Sequence, residues 1–408
     1  MQFAILVSVI IAVLLGSFLT LTHTHRLFNT KSKLLLKSIE SSNSGIGYAL
    51  QAKHDIKDSI SLANGTIETK IKKTFWGGFQ KIESTSKSNT KEFKKIALIG
   101  NALSSPNVSM YVSDQQLPLV LVGNTKIEGT AYLSDKGVKP GSIAGHYFNG
   151  NQLIDGTINY SQSELPNLNT RWINYINHSL DFIPSSDDIL IPINTENKSS
   201  FFEKEKVIYD TDEIVLNESF IGNIIIKSEK GVRVSKHANL KDVTLIAPKI
   251  TLEKGFIGNA SFIARDSIKV EKDVLLEYPS ALIVAQRKNV ETQIYNTPII
   301  ISENSKVKGI IVFLKDESNY KNLNSNARAN VDLQQFSTLE GQIYCQGNLQ
   351  LSGTVKGSVF TEKFVTQAFG SIYVNHIYNG TILANDLHAK FCGLPFEDQT
   401  NGIIKWLY

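Results

Sequence analysis

Residue types that commonly do chemistry are present in this chain, but their spacing matches no catalytic or nucleotide-binding motif. Gly45-Ile46-Gly47 lacks the third glycine and the preceding strand of a dinucleotide-binding loop. The sequence has no Gly-x-x-x-x-Gly-Lys-Ser/Thr phosphate loop and no Gly-x-Ser-x-Gly nucleophile turn. We therefore expect no catalytic residue, no cofactor-binding residue and no cofactor.

The eight histidines are scattered, which argues against a metal centre. His23 and His25 lie two positions apart, with no carboxylate or cysteine at metal-ligand spacing, so we expect them to be polar residues at a membrane edge. His376 is flanked by Tyr373 and Tyr378, but a lone histidine defines no chemistry, and a solvent-facing strand position is expected. The sequence predicts no metal site.

Acids and cysteines also fail to cluster. Carbohydrate-cleaving β-helices place acids on adjacent strands for proton transfer or metal binding, whereas the acids here lie mainly in Glu-Lys turns beside their own counter-charge. Asp187-Asp188 is one pair, in an exposed-looking loop. Two cysteines are too few for a disulfide framework; Cys345 is expected to pack in the core, and Cys392 to lie past the last repeat. We expect the protein not to be an enzyme.

The clearest functional element is the apolar segment Phe3–Thr22, which is long enough to cross ~30 Å of hydrocarbon as a helix. A cleaved secretory signal would need a basic leader and a small-x-small cleavage site, and neither is present. We therefore expect residues 1–25 to form a retained single-pass anchor, with membrane lipid as the partner of Phe3–Thr22.

The side of the membrane is not decided by charge. Arg26, Lys31, Lys33 and Lys37 follow the span, which by the positive-inside rule favours a cytoplasmic body. Only two residues precede the span, however, so the rule has little to compare. We expect the chain after the span to lie outside the cytoplasm, because the arrangement of a membrane helix followed by a small β-sheet outweighs this charge distribution.

After the span, the pattern changes from a helix to antiparallel strands. Apolar and polar residues alternate over Ile67–Phe75, which predicts a strand. A turn at Trp76-Gly77-Gly78 and a further strand over Phe93–Ile99 extend this strand into a β meander, with Ser84–Thr90 as a loop. Gly45 and Gly47 predict a break in the preceding helix. Residues 26–112 are therefore assigned to a helix and β meander.

This layout resembles that of type IV pilin-like proteins, in which a membrane helix continues into a small β-sheet head. The resemblance is to architecture alone and implies a membrane-anchored structural protein. Pilin precursors also carry a basic leader ending in Gly and a Glu five residues into the mature helix. This sequence has neither, so leader processing and polymerisation through that Glu are not implied.

The second half contains short apolar strand cores at near-regular spacing, separated by turns such as Glu253-Lys254-Gly255. In each core a large apolar residue is followed two positions later by a small one. This pattern predicts that both side chains point into the interior of a column of stacked strands. The cores are Thr244–Ala247, Ser261–Ala264, Leu282–Ala285, Gln342–Cys345 and Ser358–Thr361. The Asn-rich stretch Asp316–Asn330 is expected to be an insertion.

The expected fold is mainly β: a transmembrane helix, a small antiparallel meander, and a β-solenoid with one inserted helix at Leu165–Phe182. Residues 113–205 are assigned to the first solenoid part, 206–386 to the main solenoid and 387–408 to a C-terminal cap. The repeats over about residues 220–385 resemble bactofilin-type polymer-forming domains. The whole arrangement resembles bacterial single-pass envelope proteins.

Three functions remain open from the sequence. The leading hypothesis is a non-enzymatic membrane-anchored structural or surface-assembly protein of the cell envelope, with envelope proteins or glycans as partners. The alternative is a bactofilin-like cytoskeletal scaffold facing the cytoplasm, and the third is a carbohydrate-binding or carbohydrate-active surface protein. The net charge of +4 comes from interspersed Lys and Glu, so no nucleic-acid partner is expected.

Overall fold

A computed structural model describes residues 2–51, 60–64, 67–88, 91–103, 107–193, 195–286, 297–315, 328–397 and 399–408. Residues 316–327 of the expected insertion Asp316–Asn330 lie outside this described part. The chain divides into two compact units. The first unit consists of Met1–Lys73 and Ile82–Ile96, and the second of Thr74–Lys81 and Ala97–Tyr408.

The first unit contains a long helix and the beginning of an antiparallel sheet. The elements are α1 (Gln2–Gln51), β1 (Ile60–Asn64), β2 (Ile67–Trp76), β3 (Phe79–Lys87) and β4 (Glu92–Ala102), and the last three continue into the second unit. The sheet order is β1-β2-β3-β4, and β1 runs antiparallel to β2. The predicted N-terminal helix and antiparallel sheet are confirmed.

Two local predictions in this unit are wrong. Helix α1 is continuous through Gly45 and Gly47, because tertiary packing overrides the low helix propensity of glycine. Strand β3 continues to Lys87 through the segment expected to be a loop. Ser84 and Ser86 are fully buried on alternate positions of this strand, so its small hydroxyl side chains face the interior of the unit.

The second unit is built mainly of short strands. They are β5 (Val108–Val112), β6 (Leu119–Val122), β7 (Lys126–Glu128), β8 (Thr130–Leu133), β9 (Val138–Pro140), β10 (Ser142–Ile143), β11 (His146–Tyr147), β12 (Ile158–Tyr160), β13 (Ile189–Leu190), β14 (Asn197–Ser199), β15 (Lys206–Asp210), β16 (Ile214–Leu216), β17 (Ser219–Gly222), β18 (Ile224–Ser228), β19 (Val232–Val234) and β20 (Asn239–Leu252). The chain continues with β21 (Ile257–Val270), β22 (Leu275–Ala285), β23 (Ile299–Ile301), β24 (Lys306–Leu314), β25 (Val331–Leu333), β26 (Thr338–Leu351), β27 (Thr354–Ala368), β28 (Ser371–Val374), β29 (His376–Tyr378), β30 (Thr381–Leu383), β31 (Cys392–Gly393) and β32 (Asn401–Leu407). Helix α2 (Thr170–Asp181) and a 3-10 turn (Ala384–Asp386) complete the unit.

Most of these strands pair in parallel, and their hydrogen bonds connect them as a closed barrel. Three series of paired strands, here called ladders, can be followed. Ladder I is β13-β15-β18-β20-β21-β22-β24-β26-β27-β5-β8-β12. Ladder II is β16-β19-β20-β21-β23-β25-β26. Ladder III is β14-β17-β20-β21-β22-β24-β26-β27-β30-β7.

The order of strands in ladder I departs from the order along the chain. Val359 of β27 pairs with Met110 of β5, so the first strands of the unit stack on the last ones. Strand β5 lies before the expected solenoid start at residue 113, yet it belongs to ladder I. The strand edge that residues 387–408 were expected to cap is therefore covered by residues from the beginning of the unit.

The C-terminal segment instead runs along the side of the ladders. Its Cys392 pairs with Ala102 of β4, and the main-chain oxygen of Cys392 accepts a hydrogen bond from the Tyr278 hydroxyl at 2.9 Å. Farther along, Lys405 Nζ contacts both carboxylate oxygens of Asp242 at 2.6 and 2.7 Å. The segment therefore fastens several successive strands together.

The interior confirms most of the predicted inward positions. Leu245, Phe262, Ile343 and Val359 are fully buried in the core that the ladders enclose. In β22, however, Leu282 and not Ile283 pairs with Phe262, so the predicted register is wrong by one residue. The cause is that both faces of this strand are buried, which removes the alternation on which the prediction depended. Strand β24, between β22 and β26, was missed for the same reason.

Helix α2 and the β2–β3 hairpin tip cover the outer face of ladder I. A helix is confirmed within the predicted segment Leu165–Phe182, although it begins only at Thr170. Trp172 and Ile176 are buried, and Asn169 is the N-cap. Trp172 Nε1 donates to the main-chain oxygen of Gly78 at 3.1 Å, and Gly78 N donates to Ser261 Oγ at 3.0 Å. A Cβ at Gly77 would lie 2.2 Å from Ser261 Oγ, so this tip requires glycine to approach the strand.

A row of glycines marks where successive strands approach most closely. Gly309, Gly341 and Gly357 pair with one another in β24, β26 and β27, and all have a positive φ between 144° and 154°. A Cβ at Gly341 would lie 1.8 Å from the main-chain oxygen of Gly309. Any side chain here would force neighbouring strands apart.

Residues with a left-handed backbone conformation also recur in the turns that follow the strands of ladder II. Gly255, Asp273, Asn304 and Phe336 have φ values of 80°, 62°, 60° and 61°. Gly, Asp and Asn tolerate this conformation, whereas a bulky residue such as Phe rarely adopts it. Phe336 is also 77% exposed, so its side chain contributes little packing to offset the strain.

Gly341→Ala is expected to lower the free energy of unfolding by roughly 2–4 kcal/mol, because the new methyl group meets a main-chain oxygen in a strained conformation. Urea unfolding of the full chain in detergent micelles, followed by tryptophan fluorescence, measures this change. Gly255→Asn is the matched control, since Gly255 is also left-handed but has open space around it. Equal losses in the two variants would contradict the close-approach explanation.

Candidate functional site: the amino-terminal helix

The first part of α1 exposes apolar side chains on all sides. Phe3, Leu6, Ile10, Leu14 and Phe18 are each more than half exposed. The helix has 50 residues and is long and apolar enough to cross a membrane. At 1.5 Å per residue it extends about 75 Å, of which about 30 Å suffices for the hydrocarbon core.

The few hydroxyl groups within this segment are satisfied by the helix itself. Ser8 Oγ donates to the main-chain oxygen of Ile5 at 2.8 Å, and Ser17 Oγ donates to that of Leu14 at 2.8 Å. Thr20 and Thr22 make equivalent bonds one turn back. A hydroxyl with an internal partner does not need water, so these residues are compatible with a lipid environment.

Beyond the span, α1 packs within the first unit through a row of small residues. Ser38, Ser42, Gly45 and Ala49 are buried, at spacings of four and three residues that place them on one helix face. A Cβ at Gly45 would lie 2.4 Å from Ser84 Oγ and 3.1 Å from Thr69 Cγ2. The absence of a side chain at Gly45 therefore lets the helix lie directly on the sheet.

Hydrogen bonds fix this contact. Ser42 Oγ donates to the main-chain oxygen of Ser84 at 2.9 Å. Beside it, the hydroxyls of Thr69 and Ser86 are 2.8 Å apart. At the edge, Lys95 Nζ donates to Asn43 Oδ1 at 2.6 Å. Polar bonds of this kind give the helix one defined position on the sheet, which simple apolar contact would specify less strictly.

The residues singled out for chemistry are not brought together. His23 and His25 are exposed on α1. His376 Nδ1 lies 2.7 Å from the main-chain oxygen of Val374, and its ring packs on Tyr373 at 5.6 Å between ring centres. Among the described residues, no group of three or more His, Cys, Asp or Glu side chains has a geometry that could hold a metal ion.

The acid pair after Pro184 stabilises a turn. The Asp188 carboxylate accepts hydrogen bonds from the main-chain N–H of Ser185 at 2.7 Å and from its hydroxyl at 3.0 Å. These bonds lower the pKa of Asp188 below its usual value. Asp187 contributes its main-chain oxygen to Lys204 Nζ.

The two cysteines are free thiols, and both are buried. Burial raises the pKa of Cys345, which lies at an inward position of ladder I as predicted. Burial also raises the pKa of Cys392. A thiol that is buried and protonated is a poor nucleophile, so packing accounts for both residues.

The small-residue face of α1 was missed from the sequence. The large apolar residues at helical spacing do not mark the packed face, because of Leu27, Leu34, Leu35, Ile39, Ile46 and Leu50 only Ile46 is buried. The signal that identifies the real face is the recurrence of Ser, Ser, Gly and Ala at helical spacing, which permits close packing against a flat surface.

Comparison with protein-family models gives no match, and no curated protein matches the chain. Among solved structures, the competence-associated pilin ComZ from Thermus thermophilus is similar at 9% sequence identity and a TM-score of 0.21, with 93% of this chain and 94% of that chain covered. A TM-score of this size lies below the level that indicates a shared fold. The likeness therefore assigns neither fold nor function.

Gly45→Leu is expected to destabilise the first unit by ~1–3 kcal/mol, because the side chain would overpack the contact with Ser84 and Thr69. Gly47→Leu is the matched control: a Cβ there meets nothing within 4 Å, and loss of a helical glycine stabilises by up to about 1 kcal/mol. Hydrogen exchange of the amides in β2 measures the change. Faster exchange in the Gly47 variant than in the Gly45 variant would show that the wrong face was identified.

Proposed function

We propose that this protein is a non-enzymatic, membrane-anchored structural protein of the cell envelope. The observation that carries the proposal is helix α1, whose first part exposes mainly apolar surface while its last part is fixed to a folded sheet. An exposed apolar helical surface of this length is unstable in water and stable in lipid. The helix thus supplies both an anchor and a direct mechanical connection to the first unit.

We further propose that the closed parallel structure of the second unit is a β-solenoid. Each strand of ladder I pairs in parallel with its neighbours in the ladder, and three such ladders run side by side around one apolar core. With about 4.8 Å between neighbouring strands, the series of ladder I spans roughly 50 Å. A column of this kind is suited to act as a stiff spacer or assembly surface.

The alternative is a bactofilin-like cytoskeletal scaffold on the cytoplasmic side. The basic residues Arg26, Lys31, Lys33 and Lys37 favour it through the positive-inside rule. The extracytoplasmic location is proposed because the helix-plus-sheet layout resembles that of pilin-like proteins. A carbohydrate-active enzyme ranks last, since acids do not cluster on neighbouring strands within the described residues.

Ile10→Arg is expected to weaken membrane insertion by ~2.5–3.5 kcal/mol, because the charge would lie near the middle of the span. The measurement is the fraction of full-length protein that remains in the membrane after alkaline carbonate extraction. Ile10→Leu is the control and should remain in the membrane. Retention of both variants to the same extent would argue against Phe3–Thr22 as the anchor.

The side of the membrane is tested by protease treatment of intact cells whose outer layers have been made permeable. An extracytoplasmic body is expected to be digested, with the anchor left in the membrane. Protection of the body in intact cells, with digestion only after lysis, would instead favour the cytoplasmic scaffold.

A further inference from the structure

A polar cavity lies on the outer face of ladder II. Lys269, Ile300, Asp332 and Gln350 occupy successive strands β21, β23, β25 and β26 in register, so their side chains share one face. These residues line a surface cavity of about 460 Å³. This volume falls within the ~300–1,000 Å³ typical of small-molecule sites.

The floor of the cavity is a pre-formed hydrogen-bond network. Gln350 Nε2 donates to Asp332 Oδ1 at 3.1 Å, and Gln350 Oε1 accepts from the main-chain N–H of Gln367 at 3.0 Å. Gln334 Nε2 approaches Asp332 Oδ2 at 3.5 Å. Both ends of the Gln350 amide are therefore occupied, which fixes its orientation. The carboxylate of Asp332 retains acceptor capacity, because each of its oxygens can accept two hydrogen bonds.

The charge pattern of the cavity is mixed. Asp332 is half-buried, and none of the ion pairs among the described residues includes it. Burial raises the pKa of its carboxyl. Two cationic side chains, Lys269 and Arg328, line the same cavity, and Lys269 Nζ lies 3.3 Å from Glu271 Oε1. The cavity thus contains the Asp332 carboxylate as a hydrogen-bond acceptor, held between the side-chain amides of Gln334 and Gln350. Lys269 and Arg328 lie at the border of the cavity.

This arrangement selects against strongly charged ligands. An anion would be repelled by the carboxylate of Asp332. A small metal cation needs several oxygen ligands to replace its water, and Asp332 is the one acidic residue among the described residues of the lining. A neutral ligand rich in hydroxyl groups satisfies both kinds of group, because each hydroxyl donates one hydrogen bond and accepts others. Ser267 and Thr297 add further hydroxyls to the lining.

We infer that this cavity binds a neutral saccharide unit through Asp332, which Gln350 holds in position. The carboxylate of Asp332 accepts hydrogen bonds from sugar hydroxyls. The row of equivalent positions along ladder II, about 4.8 Å apart, lets a longer glycan continue over neighbouring strands. This binding is independent of the membrane anchor and adds a ligand to the proposed structural role.

The test uses the full chain in micelles of a detergent without a sugar headgroup, and saturation-transfer NMR as the measurement. The probes are N,N′-diacetylchitobiose and cellobiose as neutral disaccharides, with digalacturonate and glucosamine as charged comparators. At least one neutral disaccharide is expected to bind more tightly than both comparators. Asp332→Asn and Gln350→Ala are each expected to weaken that binding at least tenfold, since each removes part of the network.

Asp273→Asn is the control, because Asn304 occupies the equivalent turn position in the next turn of the chain, and its binding should be unchanged. Circular dichroism establishes that the variants remain folded, and the Gln350 variant decides the question where Asp332→Asn does not fold. Failure of both neutral disaccharides to bind would overturn the inference. So would tighter binding of a charged comparator, or a loss of less than threefold in the folded variants.

Discussion

Parallel, in-register stacking of strands is the constraint on which the second unit depends. Each main-chain N–H and C=O of an inner strand is satisfied by the strand before or after it, so every position along a ladder must suit the same position one turn away. The row Gly309, Gly341 and Gly357 shows this directly, because a side chain on any of them would collide with the neighbouring main chain. The same repetition stacks Phe262 on Leu245 and thereby forms one continuous core.

Such stacking leaves the two outermost strands and the outer faces to be covered by other means. Ladder I continues beyond β27, near the end of the unit, by pairing it with β5 from the beginning of the unit. Its outer face is covered by α2 and by the Trp76-Gly77-Gly78 tip. Trp76 Nε1 donates to the main-chain oxygen of Asp242, whose carboxylate also receives Lys405. Distant parts of the chain therefore converge on the same strands.

The first unit follows a different principle. Its helix has an apolar surface suited to lipid at one end and a face of small residues suited to close packing at the other. Ser42 and Gly45 let the helix approach the sheet, and the hydrogen bond to Ser84 defines its position. The continuous helix therefore connects the apolar segment to the sheet without an intervening linker.

The sequence by itself determined the features that depend on local pattern: the apolar span Phe3–Thr22, the alternation of β2, helix α2, and the inward residues Phe262 and Ile343. Only the tertiary structure decided the register of β22, the existence of β24 and the placement of β5 beside β27. It also assembled the cavity at Asp332 and Gln350, whose residues are far apart from Lys269 in sequence. The physical reason is that apolar residues recur at a regular spacing only where one face of an element is buried. A strand that is buried on both faces has no such alternation, so its register cannot be determined from the pattern. Pairing between strands that are distant in sequence also has no local sequence signal.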